Sequence, residues 1–185
     1  MASTGKKITQ ENYSSDWSER INNLRSIGTI DEIVSEIYQN PTLISEAITY
    51  IENPNPTIAW RTAWIIDKLS VKKTALIEPY HKTLVGILKK TGNNSIRRLL
   101  AKILAANPTK DCEDGELIDK CLNWIIQPKI PVAVKANVMQ LLFEICRTYP
   151  ELIHEFRMVV EEGLPTGSKG YKSKARNLLK AIDNW

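Results

Sequence analysis

The chain has 185 residues, 43% of them apolar and 25% charged, with a net charge of +4; that is enough apolar material for one core and too much for a disordered tract. No apolar run approaches the roughly 18 to 20 residues a membrane helix needs, so no membrane partner is expected. Three cysteines, Cys112, Cys121 and Cys146, are odd in number and lack ligand spacing, which argues against a disulfide framework or a zinc site and fits reduced thiols in a cytoplasm.

In chain order, residues 1–15 are polar, carry Lys6 and Lys7 and lead into no apolar stretch, so a loose tail is expected there rather than a secretory signal. Residues 16–185 read as one domain. A helix over about 16–27 should cap its N-terminal end. Thr29 and Glu32 have the spacing of a capping box for a helix over 30–39. Asn40-Pro41 and Asn55-Pro56 each read as an N-cap followed by proline in the first turn. Asn107-Pro108 should stop one helix, Tyr149-Pro150 should separate two more, and Ser168 should cap the last. No segment alternates with a two-residue period, so no sheet is expected.

Between these signals one pattern occurs four times. Leu43, Leu76, Leu117 and Leu152 are each followed by isoleucine. Four positions on stand Ala47, Tyr80, Cys121 and Phe156; seven on, Tyr50, Thr83, Trp124 and Val159; eight on, Ile51, Leu84, Ile125 and Val160. Those offsets fall on one stripe of an α-helix. A second helix type alternates with the first. Ile96-Arg97 precedes Leu100, Ala101, Ile103 and Leu104; Val134-Lys135 precedes Val138, Met139, Leu141 and Leu142, a shift of 38 throughout. Tyr171-Lys172 precedes Ala175, Leu178 and Leu179, with Arg176 out of pattern. The segment 59–69 belongs to the second type with its register open by one. Paired helices repeating at this interval imply a stacked array, since neither stripe can be buried alone.

The second-helix pattern, an aliphatic residue, a cation, then small or aliphatic residues at offsets 4, 5, 7 and 8, resembles HEAT repeats over roughly residues 41–183. The resemblance implies an all-α, right-handed α–α superhelix of HEAT/ARM type with about ten helices. The segments 61–66, 131–135 and 167–172 are also similar to a group of short, uncharacterised HEAT-like bacterial proteins, which implies a scaffold role at most.

Candidate chemistry is sparse. Arg61, Arg97, Arg98, Lys102, Lys135, Lys172, Lys174 and Arg176 recur along the second helices. Aligned by stacking, they would form a cationic ladder for phosphates or an acidic peptide; equally, such cations can bridge neighbouring repeats. Trp60, Trp64 and Asp67 lie on one helix face, a trio that resembles the aromatic cradle and carboxylate of HEAT-like alkylpurine DNA glycosylases, where the acid stabilises a developing sugar cation. In this reading Asp67 could instead pair with Arg98. Histidines number two, His81 and His154, without ligand partners nearby, and both read as surface residues. Residues 166–172 faintly resemble the flexible signature loop of the fumarase and adenylosuccinate lyase superfamily, but their glycines are better explained as the turn into the last helix, and a lyase activity is unsupported.

The expected function is therefore non-catalytic, with no cofactor and no metal: a module binding a protein or other acidic partner on its concave face through Arg61, Arg97, Arg98, Lys102, Lys135, Trp60 and Trp64. The alternative is DNA binding or repair through Trp60, Trp64 and Asp67.

Overall fold

A computed structural model describes residues 17–24 and 27–185. The expected tail, residues 1–15, lies outside the described residues, as do positions 16, 25 and 26 of the expected capping helix. Among the described residues every regular element is helical and no strand occurs. Helix α1 covers 17–22. It is followed by α2 (Ile27–Gln39), α3 (Leu43–Thr49), α4 (Pro56–Lys72), α5 (His81–Lys90) and α6 (Asn94–Ala106). The remaining helices are α7 (Gly115–Ile126), α8 (Val132–Thr148), α9 (Ile153–Glu162) and α10 (Lys169–Ile182).

Local chemistry sets most of these boundaries. The Asn55 side chain accepts from the Thr57 amide at 2.9 Å with Pro56 in the first turn, and Ser168 accepts from the Tyr171 amide at 3.3 Å, both as expected. Asn93 and Asp114 cap α6 and α7 in the same manner, accepting from Ser95 and Leu117 at 2.9 Å. Helix α6 stops before Asn107-Pro108 and α8 before Tyr149-Pro150. Two expected caps are corrected. Helix α2 already runs at Ile27, so Thr29 lies inside its first turn. Asn40 does not cap α3: its Oδ1 accepts from the Thr42 hydroxyl at 2.6 Å, and the helix begins at Leu43. An asparagine before proline serves a turn as well as it serves a helix.

The two helix types form two layers. Helices α2, α4, α6, α8 and α10 pack side by side in chain order, while α3, α5, α7 and α9 each pack on the second helix that follows. The stripe of the first type is buried where it matters: Ile51, Leu84, Ile125 and Val160 are at most 2% exposed. Its second and fourth openings, around Leu76 and Leu152, fall in 3-10 turns that lead into α5 and α9. In the second type, Ile96, Leu100, Ala101, Ile103 and Leu104 are buried, and so are Val134, Val138, Met139, Leu141 and Leu142. The register of α4 is now fixed: Ile58, Thr62, Ala63, Ile65 and Ile66 are buried, 38 positions before their α6 counterparts. Thr62 is tolerated there because its hydroxyl donates to the Ile58 carbonyl at 2.8 Å. Burying each aliphatic side chain contributes about 1.5–3 kcal/mol, so each hairpin is held by its neighbours rather than by itself.

Candidate functional site

The register places Trp60 and Trp64 of α4 at the positions that Arg98 and Lys102 occupy on α6. The two indoles stand one turn apart and stack, with centroids 5.9 Å apart and planes at 19°. Both are half-buried against the core and half-open on the second-helix layer, so their bodies serve the stack while their outer faces remain available. Arg98 on the adjoining helix is half-exposed. No hydrogen bond or ion pair engages its guanidinium among the described residues.

Asp67 does not pair with Arg98. Lys102 reaches it instead, with Nζ 2.8 Å from Oδ1 and 2.9 Å from Oδ2. The Asp67 side chain is only 8% exposed and that of Lys102 is 45% exposed. The carboxylate is thus drawn between α4 and α6 and neutralised, and the face it lies behind shows the lysine to solvent. Although Trp60, Trp64 and Asp67 share one side of α4, the acid is not offered beside the indoles as a free charge.

Most of the remaining cations of the expected ladder are engaged by the fold. Arg61 lies over the Trp60 ring, 5.9 Å from its centroid, and its Nη1 donates to the carbonyls of Ile21 at 3.0 Å and Asn22 at 2.6 Å. Those are end carbonyls of α1, so Arg61 closes that helix against α4. Arg97 is 8% exposed and stacks on Trp124 at 4.5 Å, donating to Asn94 Oδ1 at 2.6 Å and to the Thr91 carbonyl at 2.7 Å. The expectation that Arg97 meets a partner gives way to a role inside the stack: a planar fork can satisfy the loop before its own helix while covering an indole. Lys172 donates to the Pro165 carbonyl at 3.2 Å in the same way. Lys174 contacts Gln140, whose amide donates to Glu144 at 2.7 Å, linking α10 to α8. Lys135 lies over Tyr171, 5.8 Å from the ring centroid, and faces a separate recess. Arg176 is exposed.

One further correction concerns histidine. His81 is fully buried, not on the surface; its Nδ1 is 3.2 Å from Thr109 Oγ1 and its Nε2 has no partner among the described residues. Burial pushes its pKa below the ordinary value, against the weaker pull of Glu78 and Asp111. The signal was in the sequence: His81 stands three, four and seven positions before Leu84, Val85 and Leu88, the buried face of α5. His154 is exposed. All three cysteines are free and buried, with the Cys112 and Cys146 thiols pushed up to about 11 by desolvation and Cys121 also raised. They behave as small core residues. Among the described residues, no three His, Cys, Asp or Glu side chains come together as metal ligands, and no helix is long and apolar enough to cross a membrane.

Residues 17–182 match the model of a family described as a HEAT repeat domain. No curated protein and no solved structure matches the chain.

Proposed function

The chain belongs to the HEAT repeat domain family, and on that premise we propose that it is a non-catalytic interaction module that binds an acidic segment of a partner protein. HEAT repeats generally mediate protein interactions, which supports a binding role. The docking face is the open side of α4 and α6, the concave face of the array in this reading, with Trp60, Trp64, Arg98 and Lys102 as its contact set. The observation that carries the proposal is the half-open indole stack on α4 with, at the equivalent position of the adjoining α6, a guanidinium that no carboxylate among the described residues engages. Large rigid aromatics beside arginine are the side chains that concentrate binding energy at protein interfaces. An arginine without a partner can take a carboxylate in two parallel hydrogen bonds. Asp67, withdrawn and neutralised by Lys102, does not supply the free carboxylate that glycosidic-bond cleavage requires, and the non-catalytic reading is preferred for that reason.

The test uses fluorescein-labelled peptides rich in Asp and Glu, each with one aromatic residue, and reads anisotropy with the whole chain. Binding should be lost on Arg98→Glu and weakened roughly tenfold or more by Trp64→Ala, with far-ultraviolet circular dichroism unchanged. Equal binding by Arg98→Glu and the parent would refute the assignment. If duplex DNA binds at low salt, and every peptide fails, the partner is a nucleic acid and the protein-partner reading falls.

A further inference from the structure

The residue after the first buried position of α4, α6, α8 and α10 is Ala59, Arg97, Lys135 and Lys172 in turn, at shifts of 38, 38 and 37. At two of these four positions the cation has a structural task. Arg97 and Lys172 each reach back to a carbonyl of the loop before their own helix, at 2.7 and 3.2 Å. Ala59 shows that the stack closes without any cation there. Lys135 fits neither pattern: it is half-buried, lies over the Tyr171 ring and, among the described residues, donates to no loop carbonyl. Burial alone pushes its pKa below the ordinary lysine value, and no carboxylate raises it back. Desolvating an ammonium without a counter-charge costs stability.

What Lys135 does instead is line a recess. A groove of about 640 Å³ opens between the loops that precede α8 and α10. The loops preceding α4 and α6 form the equivalent groove, about 310 Å³, with Ile51 where the larger one has Ile125, Ala59 for Lys135 and Ile96 for Tyr171. Stacking hairpins therefore produces this groove by itself; the smaller copy carries its charges, Glu52 and Lys90, at other positions, and only the larger copy has a cation at the Lys135 position. Its mouth is apolar, since Ile126 and Val132 are each 41% exposed there. The opposite wall is rigid. A Cβ on Gly167 would stand 2.6 Å from the Gly163 carbonyl oxygen and 2.6 Å from Tyr171 Cδ1, so the two glycines let the tyrosine ring close the wall. The Tyr171 hydroxyl is turned inward, donating to the Val160 carbonyl at 3.0 Å.

We infer that the recess between the last two repeats is a binding site for an aliphatic carboxylate, with the acid group on Lys135 and the hydrocarbon against Ile126 and Val132. The volume lies in the range of small-molecule sites, which are mostly apolar with few polar groups. A single cation without a hydrogen-bonding fork suits a monoanion rather than a phosphate, which draws several donors. The same chemistry is offered by a free aliphatic acid and by the C-terminal carboxylate of a chain ending in an aliphatic residue. The site shares no residue with the Trp60–Arg98 face, and stands or falls separately from the function proposed for that face.

The experiment titrates the whole ¹⁵N-labelled chain with octanoate, with octanol, and with a hexapeptide ending in Leu-Ile as free acid or as amide. Octanoate should produce saturable shifts at the amides around Lys135 and Tyr171 at concentrations on the order of millimolar. Octanol should be much weaker. Lys135→Met should weaken octanoate roughly tenfold or more, the worth of a charge-assisted contact, and Val132→Asp should do the same from an exposed position. Tighter binding of the peptide acid than of its amide and of octanoate assigns the site to a chain terminus; the reverse order assigns it to a free acid. No saturable shift, equal response to octanol, or undiminished binding by Lys135→Met overturns the inference.

Discussion

Replacing Gly163 with alanine should be among the costliest single-methyl additions in this fold, although its backbone would accept any residue. Its φ is −79°, so no left-handed conformation is at stake. The cost comes from approach. An added Cβ would stand 2.2 Å from the Tyr171 hydroxyl oxygen, 2.5 Å from Cζ and 2.9 Å from Cε1. Tyr171 is 3% exposed and tied by its hydroxyl to Val160, so the ring cannot simply swing into solvent. Overpacking of this kind costs about 1–3 kcal/mol, and losing the hydrogen bond a further 0.5–1.5 kcal/mol or so. The sum, about 1.5–4.5 kcal/mol, corresponds to a fall of roughly 3–18 °C in Tm for a chain of this size. Thermal and urea melts followed by circular dichroism measure it. A Tyr171→Leu background empties the contested space, and there the same glycine replacement should be neutral or stabilising by about 0.4–1 kcal/mol through the unfolded state. Gly86, in mid-α5 with open space around its would-be Cβ, is the control: Gly86→Ala should stabilise by up to about 1 kcal/mol. An undisturbed Gly163→Ala protein, or an equal loss in both backgrounds, would refute the reasoning.

Buried His81 has a folded pKa below its unfolded value, so its contribution to stability is complete above about pH 6.5 and is lost as pH falls through the folded value; urea midpoints should drop between pH 7.5 and 5, and the drop should shrink in His81→Phe. Lys102→Met leaves Asp67 buried without its partner and should destabilise by about 1–2 kcal/mol, less than a fully buried pair because the lysine is 45% exposed; adding Asp67→Asn should restore most of the loss in the same denaturation assay. Native protein at pH 8 should react slowly with a thiol-specific disulfide reagent, because all three thiols are buried and raised in pKa; in urea three thiols should titrate at once, and fast labelling of the native chain would contradict the burial.

How much of this could be read from the chain alone differs between apolar and charged residues. The spacing of Ile96, Leu100, Ala101, Ile103 and Leu104 specifies a buried face whatever the neighbour is, since helical period and water's exclusion of apolar surface act locally. Asn55 and Ser168 were legible as caps because a cap bonds within three residues of itself. His81 was legible too, on the same periodic face, but its chemistry suggested a surface. The partners of Arg61, Arg97, Lys102 and Lys135 were not legible. A long flexible cation can reach any of several groups, and only the packing of repeats puts α1 carbonyls beside Arg61 or Asp67 beside Lys102.

By itself, then, the order of residues determined that this protein is a tandem of helical hairpins with two alternating apolar stripes, because those properties depend on distances along one helix. Which of its recurring cations brace the array and which remain free was decided in three dimensions. The same position holds alanine, a stacked arginine, a lysine in an open recess and a lysine tied to a loop, and its role depends on what the adjacent repeat places within about 3 Å of it.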